Sequence, residues 1–223
     1  MHRNVSVRSF HLVYFLAWLG LTTIVGLLIW FAPAEAERLL SEEGPIETGS
    51  AVSYVLCGAA LLVVRPDWPA KWHAVGLLVL MCLRELDFHS RFTSMNITKI
   101  KFYLSAEVPA KEKLVGIMVI AYGVFAVYRL VRLEGKAWLE GLRAGHACAF
   151  GVLYGVLCAI ISKTLDGFAR KMHDLEWTVD ARSADYAKYF EETLELGIAL
   201  MFGLAIYCHL RAKRGLVPHV GQD

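Results

Sequence analysis

Long apolar runs alternate with short polar connectors along the whole chain. The first run, residues 10–32, follows Arg3 and Arg8 and is uninterrupted; later runs fall at 47–64, 72–89, 114–132, 144–165 and 190–210. A helix that crosses a bilayer needs about 20 mostly apolar residues. The pattern therefore predicts an all-α, polytopic membrane helical bundle of about six transmembrane helices, forming a single transmembrane domain over residues 1–223. Ala34-Glu35-Ala36 looks like a signal-peptidase site, but the apolar core of a cleaved signal is only about 7–15 residues long. The first run is accordingly expected to stay as an uncleaved helix.

Composition agrees with the pattern. The chain is 57% hydrophobic with a mean hydropathy of +0.47, yet 20% of its residues are charged, which a membrane protein accommodates by sorting charge into connectors. Repeats and low-complexity stretches are absent. All five cysteines, Cys57, Cys82, Cys148, Cys158 and Cys208, lie inside apolar runs, where a thiol acts as a small hydrophobe. No disulfide is expected, and no CxxC pair supports a thiolate metal site. The net charge of +2 is uninformative by itself. The expected partner is the lipid bilayer, with a lipid as candidate substrate and no nucleic acid; the oligomeric state is open.

Six spans put both termini on one side. The terminal segments, with 65–72 and 129–143, are denser in Lys and Arg than the alternate connectors, which predicts cytoplasmic termini in a bacterial inner membrane. Acids are far more lopsided. Of the 21, Asp67, Glu134, Glu140 and Asp223 alone fall on the inner side, so the rest gather at the outer face.

Several helix ends bring ionisable groups to that face. The second run is preceded by Glu42-Glu43-Gly44-Pro45-Ile46-Glu47, with Ser50 beyond; Pro45 suits a first turn, where acids also favour the helix dipole. The third ends Arg84-Glu85-Leu86-Asp87-Phe88-His89. Counting from Trp72, Glu85 lies about 20 Å along its helix, inside a hydrocarbon core about 30 Å thick. It must therefore face other helices or water, and a carboxylate on the last helix is its expected neighbour. Glu85 and His89 are four apart and share a helical face. The fifth run ends Lys163-Thr164-Leu165-Asp166, and the sixth begins Glu191-Glu192-Thr193-Leu194-Glu195.

Clustered carboxylates at a membrane helix entrance need compensation. Arg84 and Lys163 could supply it in a structural ion-pair network, with Arg84 either on a carboxylate or reaching to the interface. A metal ion could supply it instead: Glu85, His89, Glu192 and Glu195 are the candidate ligands, a mix of oxygens with one imidazole that suits zinc, manganese or iron. No HExxH signature is present. Glu47 and Asp166 are then candidate general bases, tuned upward by apolar surroundings. A proton or cation pathway is the third reading.

Residues 92–113 interleave Lys99, Lys101, Lys111 and Lys113 with apolar side chains, as a segment lying among lipid headgroups or a lid would. His11, His73, His146 and His209 sit at the inner ends of helices, where a facing pair could ligate haem, though without a partner spacing in any one helix. Gly151 and Gly155 form a GxxxG that predicts close helix packing. The tryptophans lie mostly near span ends, as an aromatic belt requires.

In its strings Glu42-Glu43-Gly44-Pro45-Ile46-Glu47, Arg84-Glu85-Leu86-Asp87-Phe88-His89 and Glu191-Glu192-Thr193-Leu194-Glu195, the chain resembles a bacterial six-helix inner-membrane protein family, a likeness over nearly its whole length that implies fold but no activity. More loosely it resembles the membrane hydrolases of the alkaline ceramidase and adiponectin-receptor superfamily, which place Ser, Asp and three His around zinc. Ser50, Asp87 and His89 match that pattern, while Glu191, Glu192 and Glu195 stand where paired histidines would. The resulting functional expectation is a metal-dependent hydrolase of a lipid or lipid-linked substrate at the outer leaflet. A non-enzymatic cation or proton transport protein and a structural membrane subunit are the alternatives.

Overall fold

A computed structural model describes residues 7–41, 44–64 and 68–213, and among these it contains helices and turns but no strand. In chain order the helices are α1 (Val7–Phe31), α2 (Pro33–Leu39), α3 (Pro45–Val64), α4 (Lys71–Glu85), α5 (Phe88–Arg91), α6 (Ile100–Leu104), α7 (Ala110–Arg143), α8 (Ala147–Leu165), α9 (Phe168–Asp174) and α10 (Ala181–Lys213). Stretches of α1, α3, α7, α8 and α10 are long and apolar enough to cross a membrane. Their outward side chains include Phe15, Ile24, Val55, Ile117 and Ile160, each more than half exposed. Water would not tolerate so continuous an apolar surface; lipid does. The protein is a multi-pass, all-α membrane protein.

The third expected span, 72–89, is corrected by the backbone. α4 stops at Glu85 after 15 residues, about 22 Å at 1.5 Å per residue, short of the roughly 30 Å hydrocarbon core. Asp87 adopts φ 52°, a left-handed conformation that ends the helix, and its amide donates to the Arg84 carbonyl at 2.9 Å. Asp is one of the few non-glycine residues that visits this region readily. The continuous helix expected from Glu85 to His89 is therefore interrupted.

The chain divides into two compact units, Met1–Ser53 with Leu139–Asp223, and Tyr54–Trp138. The first unit is organised by α8 and α10. Cys148 meets Cys208, Gly151 faces Ala205, Gly155 faces Phe202 and Ser162 bonds Glu195, so the two helices run antiparallel in one continuous register. A Cβ on Gly151 would lie 2.9 Å from the Ala205 Cβ and also strike the Tyr14 hydroxyl. Glycine is what lets these backbones approach, and the GxxxG reading holds. Gly197 on α10 does the same for α1, whose Trp18 ring would stand 2.7 Å from an added Cβ. Trp18 is thus a packing residue and not part of an interfacial belt. Phe10, Tyr14, Ala147, Met201 and Cys208 complete this core.

A second cluster, Val25, Ala36 and Leu40, ties α2 to α1, with Ile46 and Tyr189 packed against it. The α7–α8 turn closes at Gly145, φ +74°, with the His146 amide bonded to the Gly141 carbonyl at 2.8 Å, the pattern that commonly ends helices with glycine. Asp180 caps α10 by accepting the Ser183 amide at 2.9 Å and the Ser183 hydroxyl at 2.7 Å, and these bonds hold its carboxyl below the usual range.

In the second unit, Gly76 of α4 packs on Tyr122 of α7, and Trp68 Nε1 donates to Glu134 at 2.6 Å. Residues 92–113 fold back on the start of α7: Ile97, Phe102 and Val108 are buried together and press on Gly116. The Ser94 amide and hydroxyl donate to Glu112 at 2.7 and 2.9 Å, and Lys113 reaches the Ser105 carbonyl at 2.7 Å. That segment is a compact cap on α7.

The seam makes a prediction. Gly151→Ala should destabilise the protein by about 1–3 kcal/mol, the usual scale of overpacking. Gly20→Ala, where an added Cβ meets nothing within 4 Å, should be neutral or slightly stabilising. Thermal melts of the two variants in one detergent check the contrast; equal melting points would mean that the helices have slack at Gly151.

Candidate functional site

The carboxylates singled out from sequence divide between the two units. Glu47, Asp166, Glu191, Glu192 and Glu195 belong to the first, Glu85 and His89 to the second. The His89 side chain lies outside the described ones.

Within the first unit, α10 enters its packed region at Glu192, which is 9% exposed, followed by Thr193 at 2% and Leu194 at 4%. A carboxylate is brought this deep because α10 is apolar on nearly every side from Leu194 onward and buries the adjoining turn with the rest. Glu195, one turn further, is half-buried and accepts the hydroxyl hydrogen of Ser162 at 3.0 Å; Ser162 itself is 1% exposed. Thr193 turns its hydroxyl back to the Tyr189 carbonyl at 2.7 Å. On α3, Glu47 is half-buried in the first turn. Ser50, in the next turn, is fully buried with no hydrogen-bond partner for its hydroxyl among the described residues. Glu47, Glu191, Glu192 and Glu195 all have polar or electrostatic contacts.

The cations expected to offset this charge are engaged close to home. Lys163 pairs with Asp166 at the end of α8. In the second unit, Arg84 folds onto its own neighbour, with Nη2 and Nε at 2.9 and 3.2 Å from Glu85 Oε1, and the Glu85 side chain is 1% exposed. Arg84 thus reaches a carboxylate, one of the two outcomes expected of it. Asp166 differs from expectation. Burial raises its carboxyl, but the Lys163 ammonium, with Lys171 and Arg170 beyond, more than offsets this and holds it below the ordinary carboxylate range. Asp166 is therefore ionised and weakly basic, opposite to the upward tuning a general base wants.

Among the described residues, no three His, Cys, Asp or Glu side chains come together as a set that could hold a metal ion. The inner histidines that sequence offered for haem have other neighbours: His11 packs edge-on against Phe150 with ring centroids 4.9 Å apart, and His73 against Phe125 at 5.4 Å.

Sequence reasoning missed a groove between α1 and α10. Val25, Gly26 and Ile29 form one wall and Tyr186, Phe190 and Thr193 the other, around a volume of about 470 Å³. On α10 the lining runs from Tyr186 to Thr193, the stretch that also carries Glu191 and Glu192. The legible signal was Gly26, which opens space on α1: a Cβ there would touch nothing within 4 Å. At the Tyr186 end of that wall, Arg182 Nε donates to the Tyr186 hydroxyl at 2.9 Å, setting a guanidinium beside the groove. No family model, curated protein or solved structure matches the chain.

Glu195 and Ser162 can be separated by substitution. Glu195→Ala should leave the buried Ser162 hydroxyl without its acceptor and cost about 1–3 kcal/mol. Glu195→Gln keeps an acceptor oxygen and should melt close to wild type. A fall with Gln as large as with Ala would show that negative charge, not the acceptor, is what the fold uses there.

Proposed function

We propose that the protein binds a membrane lipid, seating an acyl chain in the groove between α1 and α10 and holding the polar head near the α10 carboxylates Glu191, Glu192 and Glu195, where hydrolysis of that head is its chemistry. The groove carries the reading. Its walls are helices of membrane-crossing length, so the medium around it is lipid and an acyl chain is the apolar occupant always at hand. Its volume, about 470 Å³, falls in the range of about 300–1,000 Å³ usual for small-molecule sites. Arg182 beside Tyr186 suits an anionic head, since a guanidinium pairs well with phosphate. Glu192 and Glu195 are the carboxylates available to the reacting end. A zinc, manganese or iron ion held there would supply an activated water.

For the protein to lie in a bacterial inner membrane with both termini cytoplasmic, α4 and α5 together must complete a sixth crossing, with the Asp87 break inside it. Reporter fusions after Asp223 and near Ala106 test this. The first should report the cytoplasm and the second the periplasm; a periplasmic C-terminus overturns it.

Gly26→Leu tests lipid binding directly. The added side chain enters open space, so the variant should fold and melt like wild type, while lipid co-purified from the membrane and quantified by mass spectrometry falls about tenfold. Unchanged lipid content would remove the groove from the function. Metal analysis of the same preparations tests the ion: zinc, manganese or iron bound by wild type and lost in Glu192→Gln supports the metal-assisted step. Metal-free wild type removes that step and leaves lipid binding standing.

A further inference from the structure

Cys148 and Cys208 place their sulfurs 2.7 Å apart, one at the start of α8 and one near the end of α10, and both are free thiols. Thiols in ordinary van der Waals contact stand farther apart; a disulfide closes to about 2.05 Å. We propose that this pair is an oxidation site, at which a hydroperoxide converts two thiols into a reversible disulfide joining α8 to α10.

The geometry is built in. Gly151, three residues beyond Cys148, removes the side chain that would hold the helices apart, and Ala205, three before Cys208, is its counterpart. Both cysteines therefore lie at a point of close backbone approach, the first requirement for a bridge without distortion. Their environments also differ. Cys208 is 1% exposed within the cluster of Phe10, Tyr14, Ala147 and Met201, whereas Cys148 is half-buried at its edge. An oxidant arriving from outside meets Cys148 first.

The steps balance. The Cys148 thiolate attacks the peroxide O–O bond, taking one oxygen as sulfenic acid and releasing an alcohol, or water when the oxidant is hydrogen peroxide. The Cys208 sulfur then attacks the sulfenic sulfur, forming S–S and expelling the hydroxyl, which leaves as water with the Cys208 proton. Two sulfurs are oxidised by one electron each, and the peroxide takes both electrons. A thiol reductant reverses the bridge by exchange. Because α8 and α10 are otherwise joined at their far ends through Ser162 and Glu195, the bridge fixes the pair at both ends.

The test uses the full chain in its own membranes. Wild type, Cys148→Ser and Cys208→Ser are exposed to hydrogen peroxide or buffer, denatured in detergent, and labelled with a maleimide polymer that adds one gel step per free thiol. Peroxide should cut wild type from five steps to three on a monomer-sized band, and dithiothreitol should restore all five. Cys148→Ser should keep four steps under both treatments, whereas Cys208→Ser, whose Cys148 sulfenic acid has no resolving thiol, should fall from four to three under peroxide and return to four with dithiothreitol. Peptide mass spectrometry of oxidised wild type, which needs no variant to fold, should find the peptides bearing Cys148 and Cys208 joined. Wild type that keeps five steps, joins other cysteines or links only between chains overturns the proposal.

Discussion

Two helices can lie this close only where side chains are absent, and the backbone contact of α8 with α10 is the constraint on which the first unit rests. Gly151 and Gly155 remove the obstruction from α8, and Gly197 removes it for α1 on another side of α10. In lipid there is no hydrophobic force to push apolar helices together, so close packing and interhelical hydrogen bonds must do it. That explains why the seam carries a hydrogen bond at one end, Ser162 to Glu195, and a sulfur contact at the other. Ser162 and Glu195 are tolerable inside the seam because they bond to each other across it.

The charge in the molecule follows a related economy of distance. Arg84 is satisfied by Glu85, the next residue in sequence, and Lys163 by Asp166 one turn on. A pair closed within one helix end needs no tertiary alignment and survives movement of neighbouring helices. It also leaves each end nearly neutral, which lowers the cost of placing it near hydrocarbon. The α10 carboxylates are the exception in kind, since Glu195 answers to a hydroxyl on another helix.

How far sequence could go is clear from particular elements. Apolar runs located α1, α3 and α8 within a few residues, because length and hydropathy are local properties. The same runs could not show that 72–89 breaks at Asp87, since leaving the helix there depends on one backbone torsion that hydropathy does not register. Gly151 and Gly155 were readable as a packing motif, but Gly197 was not, having no second glycine at the motif spacing. Glu192 and Glu195 were visible as membrane-facing acids needing partners; that Ser162 is a partner depends on the register of two helices, which no single segment contains. The approach of Cys148 to Cys208 follows from that same register, and 60 intervening residues hide it.

The length of α7 has a consequence of its own. At 1.5 Å per residue its 34 residues make a rod of about 51 Å. Even tilted by about 40°, the upper end of what membrane helices adopt, such a rod rises about 39 Å, more than the roughly 30 Å of hydrocarbon. One end must therefore stand clear of the acyl chains. The end with Arg129, Arg132, Glu134, Lys136, Glu140 and Arg143 is the one that can do so, since the apolar stretch lies before it. The protein thus carries a stiff charged post reaching from the bilayer into the headgroups and the water beyond, a lever fixed to the membrane at its apolar end.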